Sequence, residues 1–82
     1  MEKKLRVWWI PQVPMNPFYV DVRTIREAKL LLKALAEYDL FQLANKIKPD
    51  FCNAGGLQEW EDGEWIEWYD DDGNDIDETE QG

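Results

Sequence analysis

Two groups of side chains in this 82-residue chain are of types and spacing that could do chemistry. The first lies toward the C-terminus, where carboxylates and aromatic rings interleave: Glu59, Trp60, Glu61, Asp62, Glu64, Trp65, Glu67, Tyr69, Asp70, Asp71 and Asp72. Carboxylates repeated along a hairpin and the segment after it can imitate a run of phosphates and enter a basic groove. The rings among them are the residue types that anchor protein interfaces. The second group combines cations Arg6, Arg23 and Arg26 with rings Trp8 and Tyr19 and the stretch Asn53, Gly55 and Gly56. Read as a loop, residues 53–56 would turn backbone N–H groups toward an anion while the rings stack on a base. The first group fits a protein partner with a basic surface, and the second fits a small signalling nucleotide.

Other chemistries are poorly supplied. The chain has no histidine and one cysteine, Cys52, so an internal disulfide is ruled out and the usual zinc ligand sets cannot be assembled. Cys52 has no imidazole to activate it and reads as a small apolar residue. The acidic stretch after Tyr69 resembles a calcium loop only out of register. With Asp70 as its first ligand, Asp75 stands where glycine is needed. No metal, no cofactor and no catalytic residue is therefore assigned, and the chain reads as a binding protein and not an enzyme. The longest apolar run is far shorter than the roughly 20 residues that cross a bilayer, and the N-terminus lacks the pattern of a secretory signal. A cytoplasmic protein with no membrane contact is expected.

Charge is divided sharply along the chain. The formal total is −9, but residues 1–48 hold all nine Lys and Arg against five acids, a net of +4. Residues 49–82 hold thirteen acids and no base. Such asymmetry marks an interaction face or tail, and it argues against direct nucleic-acid binding by the acidic half.

The elements that must position these groups can be read from periodicity. Residues 4–10 alternate as a strand, with Leu5, Val7 and Trp9 on one face and Arg6, Trp8 and Ile10 on the other. Three prolines in residues 11–17 make an extended connection. Residues 18–22 alternate again, with Phe18, Val20 and Val22 expected inward and Tyr19 and Asp21 outward. Thr24 and Glu27 have the spacing of a capping box in which each bonds the other's amide. A helix follows to about residue 37, burying Ile25, Ala28, Leu31, Leu32 and Leu35 and turning Arg26, Lys29 and Lys33 to solvent. Asp39 reads as the cap of a second, short helix over residues 40–46 that buries Leu40, Leu43, Ile47 and Phe41 before Pro49 stops the chain. Residues 50–56 read as a loop. Residues 57–61 and 64–69 read as strands joined by Asp62-Gly63, a strong hairpin signal, with Ile66 and Trp68 toward the core. The expected fold is α+β: a small antiparallel sheet of three to four strands in the order β-β-α-α-β-β with one helical layer. Residues 1–69 form the domain and residues 70–82 an acidic, disordered tail. A core this small leaves stability marginal, which pairing into a homodimer would relieve.

The strings Leu5-Arg-Val-Trp-Trp-Ile-Pro-Gln-Val-Pro-Met-Asn-Pro-Phe, Ala36-Glu-Tyr-Asp-Leu-Phe-Gln, Ile47-Lys-Pro-Asp-Phe-Cys-Asn-Ala-Gly-Gly-Leu and Glu64-Trp-Ile-Glu-Trp-Tyr-Asp resemble a group of small acidic accessory proteins of tailed bacteriophages. Some members of that group carry a superinfection-exclusion label. The resemblance spans residues 5 to about 75. It implies expression in an infected bacterium, among small genes that blunt host defence or redirect host machinery. In that setting the first group of residues describes an inhibitor of a host protein, and the second a sponge that sequesters an immune-signalling nucleotide without cleaving it.

Overall fold

The computed structural model describes residues 4–11, 14–45 and 53–81. They form β1 (Leu5–Ile10), β2 (Phe18–Val22), α1 (Ile25–Ala44), β3 (Ala54–Glu61) and β4 (Glu64–Glu67). The four strands make one antiparallel sheet in the order β2-β1-β3-β4, so α1 carries the chain across β1 from one edge of the sheet to the far side of its centre. The α+β class, the first strand pair and the closing hairpin match expectation. At the hairpin turn Asp62 and Gly63 both take positive φ, 52° and 84°, the backbone that a two-residue turn between right-twisted strands requires.

Alternation divides the side chains between the two faces of the sheet. Val7 and Trp9 of β1 and Leu57 of β3 turn toward α1, where they are buried with Ala28, Trp68 and Ile76. Ile25, Leu31, Leu32 and Leu35 of the helix and Leu5 and Val22 of the sheet pack around that cluster. Each large apolar side chain removed from water contributes roughly 1.5–3 kcal/mol, so this small cluster carries most of the driving force for folding.

The largest departure from expectation concerns residues 54–56. They are not a loop but the first part of the central strand β3, with Gly55 opposite Trp9 and Gly56 opposite Trp8. A methyl group on Gly55 would stand 2.5 Å from Trp9 Cε3, and one on Gly56 2.5 Å from Trp8 Nε1. The indoles of β1 therefore lie across the bare backbone of β3, one on each face. Glycine weakens a strand interior for want of a side chain to pack. Here a tryptophan from the next strand supplies the missing surface.

The helix is one continuous element and not two. Asp39 caps nothing. It sits in the middle of α1 with only 2% of its surface exposed, and its carboxylate accepts a hydrogen bond from Asn53 Nδ2 just before β3. With no Gly or Pro between Ile25 and Ala44, nothing interrupts the helical hydrogen bonds. Leu40 and Phe41 accordingly face solvent instead of the core. Ile47, Pro49 and Cys52 lie outside the described residues. At the start of α1 the Thr24 hydroxyl accepts from the Glu27 amide at 3.0 Å, as expected. Glu27 returns to the amide of Arg23 at 2.7 Å, one residue earlier than the reciprocal box predicts. Phe18 is also exposed, contrary to expectation. The helix leaves the Val22 end of β2 and crosses to Asn53 at the start of β3, so the far corner of the edge strand is uncovered.

The segment after β4 folds back onto the domain, contrary to the expectation of a disordered tail. Ile76, the lone large apolar residue of 70–81, joins the core at 4% exposure. Thr79 is buried, and its carbonyl accepts from Lys29 Nζ at 2.8 Å, which draws Lys29 out of the expected solvent-facing cationic stripe. The acidic composition concealed this docking because a single well-placed isoleucine and a turn of hydrogen bonds supply it.

Overpacking a finished core costs about 1–3 kcal/mol. Gly55→Ala, caught between Trp9 and Leu32, should lose stability of that size, seen as a lower denaturation midpoint with an unchanged slope. The penalty should shrink when Trp9 is replaced by a smaller ring in the same chain.

Candidate functional site

The face of the sheet turned away from α1 gathers side chains from all four strands. The register places Tyr19 beside Trp8, Arg6 beside Gln58, Gln58 beside Glu67, and Trp60 beside Trp65. Arg6 is the centre of the group. Its guanidinium carbon lies 3.8 Å from the centroid of Tyr19 and 4.2 Å from the centroid of Trp65, and its Nε donates to Gln58 Oε1 at 2.8 Å. A delocalised, weakly hydrated cation suits such a clamp, in which each ring offers the negative face of its π-system. Trp65 in turn meets Trp60 edge to face, with centroids 5.3 Å apart and planes at 71°. The result is a continuous tier of Tyr19, Arg6, Trp65 and Trp60 across the sheet.

Trp8 is fixed beside this tier by a second device. Its Nε1 donates to Glu67 Oε1 at 3.2 Å, although β3 lies between their strands. The bond passes over Gly56, where a methyl group would stand 2.5 Å from the indole nitrogen and 2.9 Å from the carboxylate oxygen. Gly56 thus belongs to the site as an opening between side chains, not as part of an anion-binding loop. The roles of Gln58 and Gly56 were missed from the sequence. Two adjacent tryptophans and two adjacent glycines in strands that can pair were the available signal.

Acids rim this face unevenly. Glu61, Asp62 and Glu64 are exposed at the hairpin end; alternation sets Glu61 and Glu64 on the same side of the sheet as Glu59, at the margin, and Trp60, 40% exposed, on the open face. Asp71, Asp72 and Tyr69 are exposed on the following segment. Glu59 drops out of the expected acidic row, because strand alternation turns it toward the α1 side, where it is buried and has its own contacts. Asp70 also faces inward chemically. Its carboxylate accepts from the Thr79 hydroxyl at 2.6 Å and from the backbone amides of Asn74 and Asp72, each at 2.9 Å. The Thr79 bond first, and then the backbone bonds, hold Asp70 below the ordinary aspartate value against an opposing effect of partial burial.

The nucleotide set is not assembled in one place. Arg6, Trp8 and Tyr19 share the open face, and Arg6 is already held between two rings. Arg23 and Arg26 are exposed at the start of α1. Asn53 serves Asp39, and Gly55 lies beneath Trp9 on the opposite face of the sheet. Among the described residues no group of three His, Cys, Asp or Glu side chains converges to hold a metal ion, and no helix is long and apolar enough to cross a membrane.

A family model described as superinfection exclusion gene product 17 matches residues 4–81. A superinfection exclusion protein of Salmonella phage P22 is 49% identical over 79 aligned positions, which cover 80% of this chain and 77% of the phage protein. No solved structure matches.

Two expectations follow from the site. Replacing Arg6 with alanine should remove the cation between Tyr19 and Trp65, cost about 1 kcal/mol of stability, and shift tryptophan emission to the red as Trp65 meets water. Asp70 has a lowered folded-state pKa, so its contribution is complete above the ordinary aspartate value and is lost as pH falls through the lower folded value. Protection of the amides of residues 70–79, measured as exchange relative to the unfolded chain at the same pH, should therefore be high at neutral pH and fall in acid. In Asp70→Asn the protection should be lower already at neutral pH.

Proposed function

This chain belongs to the superinfection exclusion gene product 17 family of phage accessory proteins, and on that premise we propose that it helps exclude a second phage by binding a host protein through its open sheet face. The observation that carries this reading is the clamped tier of Tyr19, Arg6, Trp65 and Trp60. Rings held by their neighbours lose little freedom on binding, and rigid aromatic surface is what interface hot spots are made of. The exposed carboxylates Glu61, Asp62, Glu64, Asp71 and Asp72 stand around and beyond it. They would steer a partner with a basic surface and make the encounter sensitive to salt. Imitation of nucleic acid would be carried by those five acids, without Glu59 and Asp70 and without Glu67, which accepts from Trp8.

The distribution of charge favours a protein over a nucleotide. A nucleotide would bring phosphates toward the acidic rim, and the cations expected to receive them are dispersed or occupied. The partner is therefore a protein of opposite charge, and the action is occupation of its surface, with no bond made or broken.

Measurement on the full chain tests this directly. Tagged protein is used to capture partners from bacterial lysate at low and moderate salt, and the affinity of a captured protein is then measured against variants. Trp60→Ala should weaken binding more than tenfold. The triple change Glu61→Gln, Asp62→Asn and Glu64→Gln should slow association about tenfold or more and flatten its salt dependence. Both variants should lose exclusion of a challenging phage in a plating assay. A nucleotide released on denaturation, with no protein captured, would overturn the proposal in favour of sequestration.

A further inference from the structure

Helix α1 has a second apolar side, away from the sheet. Leu30, Ala34, Tyr38 and Phe41 follow one another at spacings of four, four and three residues, and so form a stripe along one side of the helix. Leu30 is 69% exposed, Tyr38 59%, Phe41 58%, and Leu40 at the margin 51%. A helix apolar on its outer side as well as its inner one is normally covered on both. We propose that the cover is a second copy of this chain, docked through the same stripe with the two helices antiparallel about a two-fold axis.

Three features select this occupant. Charge along the stripe is self-complementary. Lys33 and Glu37 are exposed on the same flank, one on each side of its midpoint. In an antiparallel pair a flank meets its own copy, so Lys33 of each chain comes opposite Glu37 of the other while Leu30 comes opposite Phe41. A parallel arrangement would bring opposite flanks of the stripe together and leave Lys33 without Glu37 of the other chain. Ala34, near the midpoint, lets the helix backbones approach closely, as a larger residue would not. The area is also sufficient. At roughly 200 Å² per large side chain, the exposed parts of Leu30, Tyr38, Leu40 and Phe41 amount to about 1,000 Å² over two copies, the lower bound of a specific interface. The axis lies on the helix side of the sheet, so pairing leaves both aromatic faces free and turns them away from each other. The dimer is therefore bivalent toward any partner of those faces, which raises its avidity for a target with two sites.

The inference stands apart from the proposed partner, and its test uses the full chain alone. Sedimentation velocity and light scattering over a wide concentration range should show the wild-type mass rising from one chain to two. Leu30→Glu and Phe41→Glu should each keep the mass of one chain throughout, with an unchanged circular dichroism spectrum because both sites are exposed. Lys33→Glu should also hold the mass near one chain by setting like charges opposite. The exchange Lys33→Glu with Glu37→Lys should restore the dimer. A wild-type chain that stays single at every concentration, a dimer that survives both glutamate variants, or a charge exchange that fails to restore pairing would each overturn the proposal.

Discussion

The pairing of Trp8 and Trp9 with Gly56 and Gly55 is the contact on which the rest of this structure depends. It joins the two central strands, which are far apart in sequence, and it does so on both faces at once. On the helix side Trp9 lies across Gly55, with Leu32 on the same side, and is itself buried. On the open side Trp8 lies across Gly56 and reaches Glu67 on the outer strand. A side chain on either glycine would push an indole away, and with it a layer of the fold. The arrangement exchanges the intrinsic weakness of glycine in a strand for a large, flat, well-packed ring contact.

From that centre the two faces of the sheet diverge in character. The inner face is closed by one helix and by a short return of the chain that places Ile76 in the core. The outer face remains open but is not loose. Arg6 is held between Tyr19 and Trp65, and Trp60 leans edge-on against Trp65. A cation near the middle of an acidic protein's aromatic face would be costly if it were alone in a low-dielectric setting. Between two π-systems and an amide oxygen its positive charge is matched without an ion pair. The surface thus has aromatic rings around a clamped cation at its centre and carboxylates at its margin. The family's link with superinfection exclusion gives the chain a biological setting, an infected cell in which one phage acts against another.

Much of the architecture was legible in the residues. Strand alternation from Leu5 to Ile10, the Thr24 cap and the Asp62-Gly63 turn are local signals, set by sterics and hydrogen bonds within a few positions, and each appears where it was expected. The three largest departures share one cause. Asp39 has the side chain of a helix cap but is a buried acceptor for Asn53. Asn53 to Gly56 has the composition of a loop but leads into a central strand. Residues 70–81 have the charge of a disordered tail but are tied down by Ile76, by the Lys29 bond and by the Asp70–Thr79 bond. In every case a contact with a distant residue outweighed the local preference.

The candidate site divides along the same line. The ingredients could be read from the residues alone: a surplus of tryptophan, an acidic C-terminal half, a hairpin that projects Glu61, Asp62 and Glu64, and the arginine on the face of the first strand opposite Val7. Period-two alternation and turn chemistry are enough for that, because both act between neighbours in the chain. Only the tertiary structure decided that Arg6, expected with the nucleotide set, and Trp65, expected with the acidic set, belong to one stack. It also decided that Glu59 is buried, and that two glycines serve as space for two indoles. Those outcomes depend on strand order and register, and register is set by which large side chains can lie over which small ones, a comparison that exists only once the strands are side by side.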